Sequence, residues 1–447
     1  MALTESRWQR VLMLCALYVA QGVPWGFMFL TLPPYLAEKF QVNTGDIGDL
    51  KAVILLPWSF KLIWAPLMES YTIRSMGRRR PWIIGAELMM ALTLVGFLFT
   101  GDPAKNLNYL IAMYFIHNCF ASLQDVCTDA LAVDVLPPDE QGRTNGFMWG
   151  AKLVGKGIGG WGLSHVLHWG GIEACVYVQL AILLGIMIVP LWILERPGEK
   201  RLPWSEGIAA EISKANVRPT MEVLRDVLKA FSIPTVIIYF VFTLTKLIGV
   251  GINEVVTDTL YTQQLVDWDD KDISRVKGLY AIIPIVVCTS LGGYLGDRYG
   301  RRYILTFGFG GYALIAALFA ACPQMWNESW FAVSFLVACE TLYAIGSVGF
   351  LSMAMRISWT TAAATVFTVY MTLSNISHII GHKLAGPIQE SFMSGTGQSA
   401  TLKSYELTFW CVAVLSALPL LLLPWVLTKE VDEAKEAESS QAEEVPA

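Results

Sequence analysis

Twelve apolar runs of roughly 20 residues, separated by short charged stretches, fill this chain of 447 residues. A helix of that length crosses the ~30 Å hydrocarbon core of a bilayer. Hydrophobic residues make up 54% and charged residues only 15%, where a soluble domain carries about 25% charged residues. One or two such runs are compatible with buried core helices of a globule, but twelve are not. Lipid offers no partner to backbone N–H and C=O groups, so the runs must be helices. The expected fold class is an all-α polytopic membrane protein with 12 transmembrane helices in two six-helix bundles.

The expected spans are 11–37, 47–69, 82–100, 107–136, 143–169, 172–194, 231–261, 276–296, 303–321, 330–356, 363–390 and 404–427. Six precede the longest polar interval and six follow it. The implied organisation is an N-terminal bundle over 1–194, a linker over 195–230, a C-terminal bundle over 231–428 and an acidic tail over 429–447. The linker is expected to hold a short amphipathic helix near Thr220–Lys229. The tail carries Glu430, Asp432, Glu433, Glu436, Glu438, Glu443 and Glu444 with no apolar periodicity, the composition of a disordered segment. The apolar run after Arg7 and Arg10 continues to Leu36, so it reads as a retained first span rather than a cleaved leader.

Lys and Arg set the orientation. With the N-terminus inside, 20 basic residues fall on inner loops and seven outside, at Lys39, Lys51, Lys105, Lys271, Arg275, Lys277 and Lys403. Both termini are therefore expected in the cytoplasm. The eight cysteines are scattered singly, with no C-x-x-C pair, so metal and disulfide roles are not expected. His378 and His382 stand one helical turn apart, a spacing that suits zinc, but no third ligand is evident in the sequence. No metal and no cofactor is expected; a proton gradient would supply the energy.

Ionisable groups inside a span are costly and mark function by default. The fourth span carries Gln124, Asp125, Asp129 and Asp134, and the fifth carries Lys152 and Lys156. Counting outward from the loop between them, Asp125 lies opposite Val154 at mid-membrane depth, between the two lysines. Four residues make about one turn, so Asp125 and Asp129 share a face, as do Lys152 and Lys156. Either a charge-satisfying network or a proton and substrate site follows. In the seventh span Lys246, Val250, Glu254 and Asp258 recur every four residues. A polar stripe on a membrane helix faces a cavity or another helix rather than lipid. Lys61, Glu87 and Lys383 are further charges within spans. The proton-coupling candidates are Asp125, Asp129, Glu254 and Glu340. The substrate-binding candidates are Gln21, Trp25, Gln124, Lys152, Lys156 and Lys246, with the lysines attracting a carboxylate or phosphate and the aromatic rings a sugar or purine.

An arginine-rich loop occurs in each half. Asp297-Arg298-Tyr299-Gly300-Arg301-Arg302 resembles the signature loop of the major facilitator superfamily, in which the acidic residue and the arginines form a cytoplasmic gate. The first-half loop runs from Ala65-Pro66-Leu67-Met68-Glu69 to Gly77-Arg78-Arg79-Arg80, with five extra residues and Glu69 in place of the usual Asp. That stretch and Gln124-Asp125 with Asp129 are similar to the branch holding the AmpG muropeptide permeases and the acetyl-coenzyme A transporters. The resemblance implies proton-coupled import of an anionic amphipathic solute such as an anhydro-muramyl peptide. It also implies alternating access and a place in the bacterial cytoplasmic (inner) membrane. Partners would be the solute, protons and lipid, with no nucleic acid and a monomeric chain. Other anionic cargoes (an acyl-coenzyme A, a siderophore) and a non-transporting membrane sensor remain open readings. The few histidines lie in no catalytic motif, which argues against a membrane enzyme.

Overall fold

A computed structural model describes residues 2–71, 73–103, 105–208, 233–265, 268–358 and 363–427. The expected helix near Thr220–Lys229 and the acidic tail lie outside the described residues. Among those described, the helical segments form twelve rods. They are α1 (Arg7–Phe40), α2 (44–70), α3 (Arg80–Phe97), α4 (Leu107–Val135), α5 (138–170), α6 (172–192), α7 (Pro234–Gln264), α8 (270–299), α9 (Arg301–Ala321), α10 (Ser329–Ile357), α11 (Ala363–Ser391) and α12 (Gln398–Trp425). They reproduce the twelve expected runs, and the chain is a multi-pass integral membrane protein.

Eight stretches are long and apolar enough by composition to cross a membrane. One of them, Arg143–Trp192, is two passes bent at Gly171, where φ is 69°. α2, α4 and α11 fall short of that test because they carry the polar residues described below.

The chain divides into two compact units. Unit 1 comprises Met1–Val42, Val53–Val217 and Trp268–Ile282; unit 2 comprises Asn43–Ala52, Arg218–Asp267 and Ile283–Ala447. Each unit thus takes a short segment from the other half of the sequence. The core of unit 1 joins Met13, Leu14 and Leu17 of α1 to Leu123, Cys127 and Leu131 of α4, with Ile83 of α3 and Met148 of α5. Unit 2 is centred on aromatic rings. Phe319 stacks on Phe335 at 3.8 Å and on Trp326 at 5.1 Å. Tyr239 packs against Phe350 and Tyr370.

Prolines shape the rods that carry chemistry. Pro57 lacks an N–H and interrupts α2 with a 3-10 turn at Leu56–Phe60. In such a turn residues three apart eclipse, which sets Lys61 beside Trp58, its Nζ 5.2 Å from the ring centroid. α1 passes through a π-helical turn at Phe27–Thr31 just after Pro24. Thr31 Oγ1 there donates to the carbonyls of Gly159 and Gly160, in the π-helical turn Ile158–Gly162 of α5.

Candidate functional site

In unit 1, α1 and α5 approach so closely that a Cβ on Gly22 would sit 2.4 Å from the carbonyl oxygen of Lys152 and 2.9 Å from Gly155 Cα. Only glycine allows that contact, and it delivers the Lys152 side chain to the polar face of α1. Lys152 Nζ donates to Gln21 Oε1 at 3.1 Å and lies 3.4 Å from Asp125 Oδ1. Asp125 also pairs with Lys61 through its other oxygen. The carboxylate is thus held between two lysines, one from α2 and one from α5. The sequence expects Lys152 and Lys156 in those places. Lys156 instead lies one turn along, where its backbone packs against Gly22 and Gly26. The pairing of Lys61 depends on the break at Pro57 and is invisible in residue spacing.

Polar residues continue from this centre. Gln21 Nε2 donates to Gln124 Oε1 at 2.6 Å, and Gln124 Nε2 reaches Glu87 Oε1 at 3.4 Å. Gln21, Gln124 and Glu87 are all buried, so a chain of polar groups runs inward from Lys152 to a carboxyl on α3. On α4, one turn from Asp125, Asp129 accepts a hydrogen bond from Tyr18 Oη at 2.6 Å. Asp129 lines a cavity of about 230 Å³ with Ala132, Val133, Leu136, Asn145 and Met148.

Aromatic faces surround the charges. Lys152 Nζ lies 5.4 Å from the Tyr18 ring, 5.2 Å from Trp58 and 5.8 Å from Trp149. Trp149 is 56% exposed, and the side chains of Lys61 and Lys152 are 22% and 21% exposed. Trp25 stacks on Phe29 at 4.3 Å and meets Trp58 edge-on at 5.1 Å. Two tryptophan N–H groups pin α2 to α4, Trp58 to Asn118 Oδ1 and Trp64 to Ser122 Oγ. The centre is therefore an acid between two lysines, walled by rings and still accessible. That arrangement suits an anionic ligand with an apolar body.

The polar stripe of α7 in unit 2 faces other helices. Lys246 is 2% exposed; its ammonium donates to Ser374 Oγ of α11 at 2.9 Å and lies 3.8 Å from the Phe350 ring centroid. The sequence nominates this lysine for substrate binding; in this structure it is enclosed by other helices. Glu254 accepts from Nε2 of both His378 and His382 at 3.0 Å. Asp258 pairs with Lys51 at 2.5 Å. Lys51, counted among outer loop charges, is in fact a buried residue of α2. Glu340 of α10 is half-buried and acts electrostatically, together with Glu254, on Tyr343.

The two arginine loops differ. Arg79 Nε pairs with Asp134 Oδ2 at 2.8 Å. The Glu195 carboxylate accepts from the backbone N–H groups of Arg78 at 2.8 Å, Arg79 at 2.7 Å and Arg80, at the start of α3. A helix N-terminus is a natural anion site. Burial pushes the Glu195 carboxyl up and those N–H bonds pull it back, leaving it raised. Burial and the neighbouring Glu195 push Glu199 up to about 7. Arg80 is wholly buried and donates to the carbonyls of Met76, Pro190, Lys200 and Arg201. In the second loop Arg301 Nη1 donates to Ser352 O at 3.1 Å, Arg298 lies over the Tyr299 ring, and Arg302 is half-buried. The side chains of Glu69 and Asp297 lie outside the described residues. Sequence reasoning missed Glu195; its place directly after the last apolar run of the first half is the available signal.

Comparison with known proteins bears on this geometry. The Major Facilitator Superfamily model matches residues 14–382. The anhydromuropeptide permease of Escherichia coli (strain K12) is 25% identical over 429 residues, covering 93% of this chain and 79% of that protein. Among solved structures, the nucleoside transporter NupG superposes with a TM-score of 0.69 at 13% identity, covering 93% of this chain and 98% of that one. A bacterial homolog of the human lysosomal transporter Spinster, in an inward-facing and unoccupied conformation, gives 0.67 at 14% identity, covering 95% and 98% of the two chains. At such identities these structures attest the fold alone. With twelve helices, an arginine loop in each half and a family match over most of its length, the chain is a transporter rather than an enzyme and belongs to the Major Facilitator Superfamily.

Proposed function

We propose that this chain imports an anionic amphipathic solute together with protons by alternating access, with an anhydro-muramyl peptide as the preferred cargo. The observation that carries this reading is the shared claim on two lysines. Asp125 holds Lys61 and Lys152 while both remain accessible beside Tyr18, Trp58 and Trp149. A carboxylate on the cargo would seek the same ammonium groups. Protonating Asp125 releases them to the cargo, and losing that proton lets Asp125 reclaim them and expel the anion. Proton and solute are then linked by competition at one site, so the gradient shifts which occupancy is favoured. Asp129, one turn away at the edge of its cavity, offers the proton an exit. The aromatic walls take the apolar or sugar portion of the cargo.

The muropeptide assignment is supported by the name of the Escherichia coli relative and by the match of charge and rings to such a solute. The excess of basic residues on inner loops supports cytoplasmic termini in a bacterial cytoplasmic membrane. No cofactor is needed, and a monomer contains all these groups. Uptake into proteoliposomes tests the reading: labelled anhydro-muropeptide should accumulate under an inward proton gradient and acidify the lumen. Entry no faster than into empty vesicles discards this cargo. Absence of both accumulation and proton flux across a panel of anionic solutes discards the mechanism.

A further inference from the structure

The close contact of α7 and α11 in unit 2 brings together three metal-ligating side chains. A Cβ on Gly251 would lie 2.6 Å from His378 O and 2.9 Å from Gly381 Cα, so the two backbones touch. Three residues past Gly251, Glu254 reaches across to the imidazoles of His378 and His382, which stand one turn apart on α11. Both Nε2 atoms lie 3.0 Å from the same oxygen, Glu254 Oε2. One ligand atom from each of the three residues falls within a sphere of 4.8 Å separations. Tetrahedral zinc, with bonds of about 2.0–2.2 Å to nitrogen and oxygen, sets its ligands roughly 3.3 Å apart. The two Nε2–Oε2 separations lie within a few tenths of an ångström of that spacing.

We propose that Glu254, His378 and His382 form a three-ligand site for a divalent transition-metal ion, zinc foremost, with a fourth position left open. Two imidazoles and one carboxylate are the donor set of zinc sites that keep an exchangeable ligand. In the metal-free arrangement each Nε2–H donates a hydrogen bond to Glu254 Oε2; to bind the ion each imidazole takes the tautomer with its proton on Nδ1, which frees the Nε2 lone pair for the metal. Two lysines of unit 2 are already held in ion pairs. Asp258, one turn along α7, is balanced by Lys51. Lys383 is balanced by Asp49 at 2.6 Å. The Glu254 and His378 side chains are 22% and 11% exposed, which gives the ion a way in and its open position a water or an anionic group to bind. The site is independent of which solute unit 1 takes.

Cobalt is the probe, since Co2+ in a four-coordinate site absorbs strongly in the visible. The full chain, purified in detergent and stripped with chelator, should bind one Co2+ with a saturable visible band that Zn2+ abolishes. Zn2+ should also raise the melting temperature. Glu254→Gln, His378→Gln and His382→Gln should each weaken binding by at least about 100-fold, while His165→Gln leaves it unchanged. If His382→Gln proves unstable, the two more exposed ligands decide the question. Absence of a one-to-one band, or a band that survives Glu254→Gln and His378→Gln together, overturns the site.

Discussion

Two lysines set into membrane helices, Lys152 in unit 1 and Lys246 in unit 2, meet opposite fates. Lys152 shares a carboxylate with Lys61, keeps a fifth of its side chain accessible and stands among three aromatic rings. Lys246 is sealed against Phe350 and Phe309 with a serine hydroxyl for company. Among the described residues, no carboxylate lies within ion-pair distance of it. A charge that must be both stable and available needs a counter-charge that can let go. A charge without one has to be enclosed, and an enclosed charge is no use to a solute. The difference supports the proposal that the solute chemistry sits in unit 1, although the sequence puts Lys246 ahead of Lys152 as the lysine that attracts the anion.

The strongest way to break this contrast is Asp125→Asn. The change leaves two ammonium groups close together without their counter-ion. Removing one partner of a buried pair costs about 3–5 kcal/mol; here the lysines' partial exposure should reduce that to about 2–3 kcal/mol. Proton-driven accumulation should vanish while the protein still folds, as judged by a monodisperse elution profile and a measurable melting transition. Normal uptake by this variant would remove Asp125 from the mechanism and the contrast with it.

The arginine loops repeat the contrast at a second place. Glu195→Ala strips the acceptor from three backbone N–H groups at the start of α3. Each buried orphan costs about 1–3 kcal/mol, so a loss of about 3 kcal/mol is expected. Arg301→Ala removes one hydrogen bond from a half-buried group and should cost about 1 kcal/mol or less. Comparing the two melting temperatures checks this; equal losses would show that both loops are anchored alike.

Glu199 adds a pH signature to the first loop. Its carboxyl sits at about 7 against an ordinary 4.5, so the folded chain holds a proton there that the unfolded chain has released. Stability contributed by that proton is present below about pH 4.5 and is lost as pH rises toward 7. Melting temperatures measured from pH 5 to pH 8 should fall, and Glu199→Gln should flatten that slope. An unchanged slope in the variant would place the pH dependence elsewhere.

Parts of this arrangement were legible in sequence because they depend on local counting. Span length fixes the number of helices, and equal steps from the α4–α5 loop place Asp125 beside Lys152. Lys61 was not legible as its partner, because its direction follows from the turn at Pro57 and from where α2 lies on α4. Glu195 is 115 residues from Arg80, and nothing in either segment names the other. Lys51 looked like a loop charge because the start of α2 is polar; its burial depends on Asp258, 207 residues away. The His378–His382 spacing announced two ligands, but Glu254 became the third only through the glycine contact between α7 and α11.

The smallest expected effect is the most pointed test of the contrast. Lys246→Met replaces a sealed ammonium by a side chain of similar length that suits the same aromatic pocket. Exchanging a buried ionic group for a well-packed apolar one is often neutral or stabilising. The melting temperature should stay within a few degrees of the parent or rise, and uptake should persist at an appreciable fraction of the parental rate. Lys152→Met, the same chemical change in unit 1, should abolish accumulation, because the solute and Asp125 both lose their ammonium. If instead Lys246→Met stops uptake while Lys152→Met spares it, then enclosure in this structure is one stage of a cycle in which Lys246 is later uncovered. The solute chemistry would then belong to unit 2.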